Sequence, residues 1–265
     1  MDLKYNFFDI ESLIFCGDVH GKFTQLQYKI KQYDLKNCII FVCGDFGVGF
    51  EKPGYYNVEL GKLDKFLKLH NNYLFAIRGN HDDPEYFSEN KEYGNVILLP
   101  DYSIIGVNGY MILGIGGGTS IDRKQRIAHD IKINNQYKKY NSKRRYTSYW
   151  PNEAIVVDGE KINEINESPD NIDVIFTHSS PNFCEPFTKD GILGFIKLDP
   201  QLVVDYDKER ESLTQIYDEL KNKNISHWFY GHFHESYRLE HENVQFIGID
   251  ELEFKEMVLL NKNEN

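Results

Sequence analysis

The sequence predicts an α/β sandwich in which two packed β-sheets are flanked by helices. Two observations favour this fold class. The first third of the chain alternates strand-like and helix-like segments, and strand-like segments outnumber helical ones in the second half. The 265 residues, of which 41% are hydrophobic and 27% charged, are typical of a globular protein, and one large domain over 1–265 is the simplest organisation.

The opening of the chain is predicted from its hydrophobic pattern as β-α-β-α-β. Apolar runs of strand length lie at 12–16, 38–43 and 72–77, with helical patterns at 23–33 and 57–69 between them. Further strand-like runs lie at 96–99, 104–107, 111–115, 174–177, 227–230, 244–249 and 254–259.

Two segments depart from this alternation. The first, 119–151, is polar, basic and rich in Tyr, and the second, 179–206, contains three prolines. We interpret 119–151 as a lid insertion that governs substrate choice rather than chemistry, because we expect its basic and aromatic residues to lie apart from every candidate ligand described below. Tyr146, Tyr149 and Trp150 would anchor this lid or stack on a base, and anchoring is the simpler interpretation.

Charge and composition indicate where the protein is located and which partners it binds. The formal net charge of -11 disfavours nonspecific nucleic-acid binding, although the basic stretch at 138–145 leaves a nucleotide or polynucleotide substrate open. No apolar run reaches the roughly 20 residues of a membrane span, and the start lacks a signal-peptide pattern. The four cysteines show no Cys-x-x-Cys spacing, so we expect free thiols and a cytoplasmic location.

Candidate metal ligands follow the apolar runs in five places. Each group begins after a strand-like run and a Gly or Thr, in the motifs Gly-Asp-Val-His-Gly, Gly-Asp, Gly-Asn-His-Asp, Thr-His and Gly-His-Phe-His. The candidates are Asp18, His20, Asp45, Asn80, His81, His178, His232 and His234. Because ligands bind at the carboxyl edge of open α/β sheets, we expect these side chains to meet there.

The spacing within the motifs has a physical interpretation. A glycine without Cβ lets the chain turn and approach a metal closely. In Asp18-x-His20 and His232-x-His234, a period of two in an extended segment would send both side chains to one side. Mixed oxygen and imidazole ligands favour Mn, Fe, Zn or Ni over calcium or a thiolate zinc site.

The ordered series of motifs, from 12 to about 250, resembles the calcineurin-like metallophosphoesterases. The resemblance implies two mixed sheets in a four-layer α/β/β/α sandwich, two divalent ions with Mn the first expectation, and a phosphoester substrate, whether a small molecule, a nucleotide or a nucleic acid. The ions would share a water and lower its pKa from near 16 toward about 7.

Carried over residue by residue, the resemblance assigns a role to each motif. Asp45 would bridge the two ions and His81 would donate a proton to the leaving group. Asp82 would orient His81, or Asp82 and Asp83 would instead start a helix beside Pro84. The first ion would be bound by Asp18, His20 and His234, and the second by Asn80, His178 and His232.

The segment after Asp45 departs from one branch of that family. Phosphoprotein phosphatases continue into Asp-Arg-Gly, whose Arg grips the phosphate, whereas Phe-Gly-Val-Gly-Phe follows here. Hydrolysis of a phosphomonoester or a phosphodiester is the expected activity, and a phosphodiesterase or nuclease, similar to small bacterial or phage enzymes and lariat-debranching nucleases, is favoured over a protein phosphatase. A catalytically silent binding scaffold is a third hypothesis. Arg78 is interpreted as a structural ion pair, and a replacement clamp would come from Arg123, Arg126, Arg144 or Arg145.

Overall fold

The computed structural model describes residues 3–52, 54–140, 145–184 and 189–259. The strands are β1 (Tyr5–Phe7), β2 (Ser12–Cys16), β3 (Cys38–Val42), β4 (Tyr73–Ala76), β5 (Lys91–Tyr93), β6 (Val96–Leu98), β7 (Ser103–Val107), β8 (Tyr110–Ile115), β9 (Val174–Thr177), β10 (His227–Tyr230), β11 (Tyr237–His241), β12 (Val244–Gly248) and β13 (Phe254–Val258). The α-helices are α1 (Phe23–Gln32), α2 (Tyr55–Leu69), α3 (Arg123–Lys139), α4 (Gly159–Glu167), α5 (Leu193–Leu198) and α6 (Leu202–Leu220).

The strands form two mixed sheets. One has the order β13-β2-β3-β4-β6-β5, in which β2, β3, β4 and β6 are parallel and the two edge strands are antiparallel to their neighbours. The other has the order β1-β7-β8-β9-β10-β12-β11, with parallel pairing from β8 through β12. Parallel strands place their carboxyl ends at one edge, so loops from both sheets can meet there.

The core between the sheets is built from alternate residues of the central strands. In β2, Leu13 and Phe15 belong to the cluster between the sheets, whereas Ile14 and Cys16 belong to the cluster on the opposite face. The rings of Phe15 and Phe229 stack across the two sheets with centroids 3.8 Å apart. Both faces of β2 are therefore buried, which explains its uninterrupted apolar sequence.

Helices cover the outer face of each sheet. Residues of α1 and α2 join the outer cluster of the β2 sheet, and residues of α4 and α6 join the outer cluster of the β10 sheet. The predicted four-layer α/β/β/α arrangement of two mixed sheets is confirmed. No helix among the described residues is long and apolar enough to cross a membrane.

The segments that the hydrophobic pattern did not predict are mostly edge strands and helices of the two departing segments. The short strands β1, β5 and β11 lack a buried apolar run, since their residues are half-buried or exposed. Helix α3 occupies most of 119–151, and α5 and the start of α6 lie in 179–206. Arg126 is the buried residue of α3, so this helix has no apolar stripe to detect.

Candidate metal centre

The candidate ligands lie in the loops that follow β2, β3, β4, β9 and β10, at the carboxyl edge of both sheets. The structure brings all seven predicted ligands together into two adjoining groups. The loops are also tied to each other, because the backbone N–H of His232 donates to Asp18 Oδ1 at 2.9 Å. The predicted meeting of the strand-end motifs is therefore what the fold produces.

The first group contains Asp18, His20 and His234. His234 Nε2 lies 2.8 Å from Asp18 Oδ2 and 3.1 Å from His20 Nε2. His20 Nε2 is 3.7 Å from the same carboxylate oxygen. Two imidazole nitrogens and one carboxylate oxygen thus converge on a small volume.

The second group surrounds His178 Nε2. Asn80 Oδ1 lies 2.8 Å from this nitrogen, His232 Nδ1 3.2 Å and Asp45 Oδ1 3.3 Å. The other oxygen of Asp45, Oδ2, is 3.8 Å from His20 Nε2 in the first group. Asp45 is therefore the residue that faces both groups, one oxygen to each.

The donor chemistry of His178 fits a cation. Its Nδ1 lies 2.8 Å from the carbonyl oxygen of Cys43 and its Nε2 faces oxygen atoms of Asn80 and Asp45. Burial lowers the pKa of His178, and a neutral imidazole can donate from only one nitrogen. With Nδ1 donating to Cys43, Nε2 presents a lone pair to other acceptors, and a bound cation would relieve this repulsion.

The carboxylates and the spacing agree with this fit. Burial and the nearby carboxylates of Asp18 and Asp82 raise the pKa of Asp45 well above its usual value, because two like charges are held close together. Burial also lowers the pKa of His232 to about 3, which leaves a neutral ligand. Ligand atoms bound about 2.1 Å from one ion lie roughly 3.0 to 3.5 Å apart, which is close to most of the separations in both groups.

Backbone conformation explains how the loops aim their side chains. His20, Asp45, His232 and His234 have positive φ angles of 49°, 47°, 68° and 51°. Non-glycine residues seldom adopt this left-handed region, and such strain concentrates at functional sites. The pairs 18/20 and 232/234 do converge on the site, but the predicted extended geometry is wrong, because turned backbone directs these side chains.

Two motif glycines are required by close approach. A Cβ at Gly79 would lie 2.0 Å from Asp45 Oδ1, and one at Gly231 would lie 2.2 Å from Asp18 Oδ1. Both distances are far below van der Waals contact. Gly79 and Gly231, which precede Asn80 and His232, therefore make room for the carboxylate of another ligand.

His81 lines a cavity of about 340 Å³ that opens beside the two ligand groups. Its backbone N–H donates to Asp45 Oδ1 at 2.7 Å, and its ring lies 5.2 Å from that of His20. Burial, followed by the charge of Arg126, lowers the pKa of His81 to about 2. The imidazole is therefore neutral unless a bound anion favours its charged form.

The Asp82 side chain binds backbone N–H groups of two loops. Its buried carboxylate accepts hydrogen bonds from the backbone N–H groups of Phe46, Gly47, Val48 and Gly79 at 2.7 to 3.0 Å. These bonds tie the loop after β3 to the loop after β4. They support a role in holding the two loops rather than the predicted role in orienting His81.

Asp83, the next residue, starts a helix, which is the alternative that the sequence left open. Asp83 Oδ1 accepts from the backbone N–H of Glu85 at 3.1 Å and caps the 3-10 helix Pro84–Phe87. The interpretation of this Asp as a helix start is therefore confirmed.

The insertion contacts the candidate metal centre directly. Asn80 Nδ2 donates to Ser120 Oγ at 3.1 Å, and Arg126 Nη1 donates to Ser120 Oγ at 2.7 Å and to the Asn80 carbonyl at 3.2 Å. Ser120 Oγ donates in turn to Glu153 at 2.6 Å. The prediction that the insertion lies apart from every ligand is therefore wrong, because α3 folds back and holds Asn80.

Arg78, Arg123 and Arg126, three of the arginines considered for contact with the phosphate, have other partners. Arg78 forms an ion pair with Asp101 at 2.8 Å, as predicted, and Arg123 pairs with Asp199 and Asp205. Arg144 lies outside the described residues, and Arg145 lines a separate cavity beside Phe50 and Trp150.

Trp150 anchors the insertion. The indole is buried, and its ring meets that of Phe50 edge-on with centroids 5.1 Å apart. This contact joins the insertion to the loop after β3, as the anchoring interpretation predicts.

One buried acid near the site was not predicted. Glu209 on α6 is buried, and its Oε1 lies 4.0 Å from His232 Nε2. Because His232 turns Nδ1 toward His178, Nε2 is the nitrogen that can carry the proton and face this carboxylate. No strand-end motif marks Glu209, since it lies in the middle of a helix.

Glu209→Gln is expected to weaken metal binding at the second group by about tenfold or more, because a carboxylate near the N–H side of the His232 imidazole raises the basicity of that imidazole. The affinity for Mn²⁺ would be measured by competition with a chelator. Glu211→Gln, an exposed position on the same helix, is the matched control. Equal affinities in wild type and Glu209→Gln would contradict this role.

Comparison with known proteins identifies a protein family that matches most of the chain. The model of the calcineurin-like phosphoesterase family matches residues 12–236. Among curated proteins, none matches the chain significantly.

Solved structures give distant likenesses. A Staphylococcus aureus protein assigned as a 5'-nucleotidase is 13% identical over 91% of this chain with a TM-score of 0.46, and this chain covers 49% of it. The phosphopantetheinyl hydrolase of Mycobacterium tuberculosis is 15% identical over 91% of this chain and 89% of its own, with a TM-score of 0.43. A protein serine/threonine phosphatase from Saccharomyces cerevisiae is 16% identical over 93% of this chain and 70% of its own, with a TM-score of 0.37.

Proposed function

This chain belongs to the calcineurin-like phosphoesterase family, and we propose that it hydrolyses a phosphodiester at the centre formed by the two ligand groups. The observation that carries the proposal is Asp45, which turns one oxygen toward each group. A carboxylate shared in this way suits two ions a few ångströms apart.

The ligand assignments follow the two groups. Asp18, His20 and His234 would hold one divalent ion, and Asn80, His178 and His232 the other, with Asp45 between them. The mixed oxygen and nitrogen donors suit first-row ions, and we propose Mn²⁺ as the first to test. Such ions supply Lewis acidity and lower the pKa of water for attack on phosphorus.

The chain's own residues would then orient the substrate and handle the proton. Asn80 is held by Ser120 and Arg126, so its amide oxygen keeps a fixed direction. His81 borders the same cavity, within reach of a phosphate oxygen or the leaving oxygen. An anionic phosphate beside the imidazole favours its protonated form, which could then donate to the leaving group.

A diester is favoured over a phosphoprotein by the loop after β3. The segment that carries a phosphate-gripping Arg in phosphoprotein phosphatases is here Phe-Gly-Val, whose backbone N–H groups are bound by Asp82. A dianionic monoester would therefore lack that cation. This supports a monoanionic diester as substrate.

The proposal is tested with metal-free protein reloaded with Mn²⁺. We expect close to two ions per chain by elemental analysis and Mn²⁺-dependent release of nitrophenolate from bis(p-nitrophenyl) phosphate. Chelator-treated protein is the control. A binding scaffold would show neither stoichiometric metal nor turnover, and that result would refute the proposal.

A further inference from the structure

The cavity beside the ligand groups has two unlike sides. One side carries the ligands and His81, and the other is largely apolar. The apolar wall consists of Ile121, Ile192, Phe195, Tyr206 and Phe233. Its members come from the insertion, from the segment around α5, from α6 and from the loop after β10, so four separate parts of the chain supply it.

The wall is held in place from behind by Arg210. The buried guanidinium of Arg210 donates from Nη1 to the Tyr206 hydroxyl at 2.9 Å and from Nη2 to the Pro181 carbonyl at 2.9 Å. It also lies 5.8 Å from the ring centroid of Phe233. Two of the wall's aromatic side chains are thus packed against a fixed group.

The cavity is lined by acidic side chains but by no Lys or Arg among the described residues. Asp122 adds a carboxylate to those of the ligands. Apart from the proposed ions, these residues offer no cation to a second negative charge on the phosphate, because Arg126, which lies 3.8 Å from Asp122, already pairs with that carboxylate. A monoanionic phosphate with an organic group on both sides fits this cavity better.

We propose that the apolar wall selects phosphodiesters whose retained ester group, the one that stays on phosphorus, is aromatic or comparably bulky and apolar. The inference rests on the proposed function and specifies its substrate class. Phe195 and Phe233 provide rings for contact with such a group, and the cavity of about 340 Å³ has the size of a small-molecule site.

The test compares phenyl p-nitrophenyl phosphate with methyl p-nitrophenyl phosphate, which have the same leaving group and the same charge. We expect kcat/KM for the phenyl diester to exceed that for the methyl diester by about tenfold or more, because a ring buries far more apolar surface than a methyl group. The phenyl-to-methyl ratio of kcat/KM is first divided by the phenyl-to-methyl ratio of the rate constants for hydroxide-catalysed hydrolysis. This division removes the difference in intrinsic reactivity between the two diesters. The dianion p-nitrophenyl phosphate should be a poorer substrate than the phenyl diester.

Phe195→Ala and Ile121→Ala test the wall from two segments, so a folding defect in one variant leaves the other informative. In each we expect the phenyl-to-methyl ratio to fall at least threefold. Leu193→Ala, an exposed residue of the same short helix as Phe195, is the control and should keep the wild-type ratio.

The outcomes separate the two proposals. Both diesters could be hydrolysed with a phenyl-to-methyl ratio of kcat/KM that equals the ratio for hydroxide-catalysed hydrolysis. In that case the chain is a phosphodiesterase and the selective wall is refuted. The selective wall is likewise refuted if both wall variants keep the wild-type ratio. If the dianion p-nitrophenyl phosphate is the best substrate, the chain prefers a phosphomonoester, and both the selective wall and the proposed diester substrate are refuted. Absence of Mn²⁺-dependent hydrolysis of every ester would instead refute the proposed function.

Discussion

Asp45→Asn is expected to lower kcat/KM for bis(p-nitrophenyl) phosphate by at least about 10³-fold and to reduce bound metal below two ions per chain. The carboxylate faces both ligand groups, so its loss weakens both sites at once. Several kcal/mol of transition-state stabilisation come from such ions, and each 1.4 kcal/mol is about tenfold in rate.

Asn is the appropriate replacement at this position. Asp45 has a φ of 47°, a region that Asn tolerates better than most residues, whereas Ala would add backbone strain. Asp34→Asn is the matched control, because Asp34 is an exposed Asp with a φ of 49°. Two bound ions per chain and wild-type turnover in Asp45→Asn would show that this carboxylate does not bridge.

The strand-end positions of the ligands were predictable because buried parallel strands have an uninterrupted apolar sequence. The strands 12–16, 174–177 and 227–230 were predicted with their observed bounds. A polar residue directly after such a run must lie at the carboxyl edge, whatever the loop conformation. Placement of the ligands therefore followed from strand prediction alone, although the turned backbone that aims them did not.

The residues behind the ligands could not be predicted in this way. Glu209 comes from a helix and Glu153 from the segment just after the insertion, and both are far from the ligands in sequence. Their roles depend on which helix packs against which loop. Such tertiary contacts leave no local pattern of hydrophobicity or spacing.

Helix α3 could not be predicted from the sequence either. Amphipathic helices are detected by an apolar stripe, but Ile127 and Ile131 of α3 are exposed and Arg126 is buried. The buried Arg makes polar contacts with Asn80 and Ser120 instead of packing against apolar side chains. A helix that docks through hydrogen bonds at the candidate metal centre therefore looks like a polar insertion in the sequence.

His81→Asn is expected to lower kcat/KM by about 10² to 10⁴ for diesters with alkyl leaving groups and by much less for nitrophenyl esters, with metal content unchanged. An alkoxide needs a proton to depart, whereas nitrophenolate does not. Burial holds the pKa of His81 near 2 when no anion is bound, so the donating form depends on the charge of the bound phosphate.

The measurement is a plot of log kcat/KM against leaving-group pKa for wild type and His81→Asn, together with metal analysis of both. A steeper slope in the variant is the result expected of a proton donor. His81 also lies within ligand distance of His20 and Asp45, so metal analysis decides between the two roles. Loss of metal would make His81 a ligand, and parallel slopes with full metal content would remove it as the proton donor. His129→Asn, at an exposed position of α3, is the matched control and should follow the wild-type line, because its side chain lies outside the cavity.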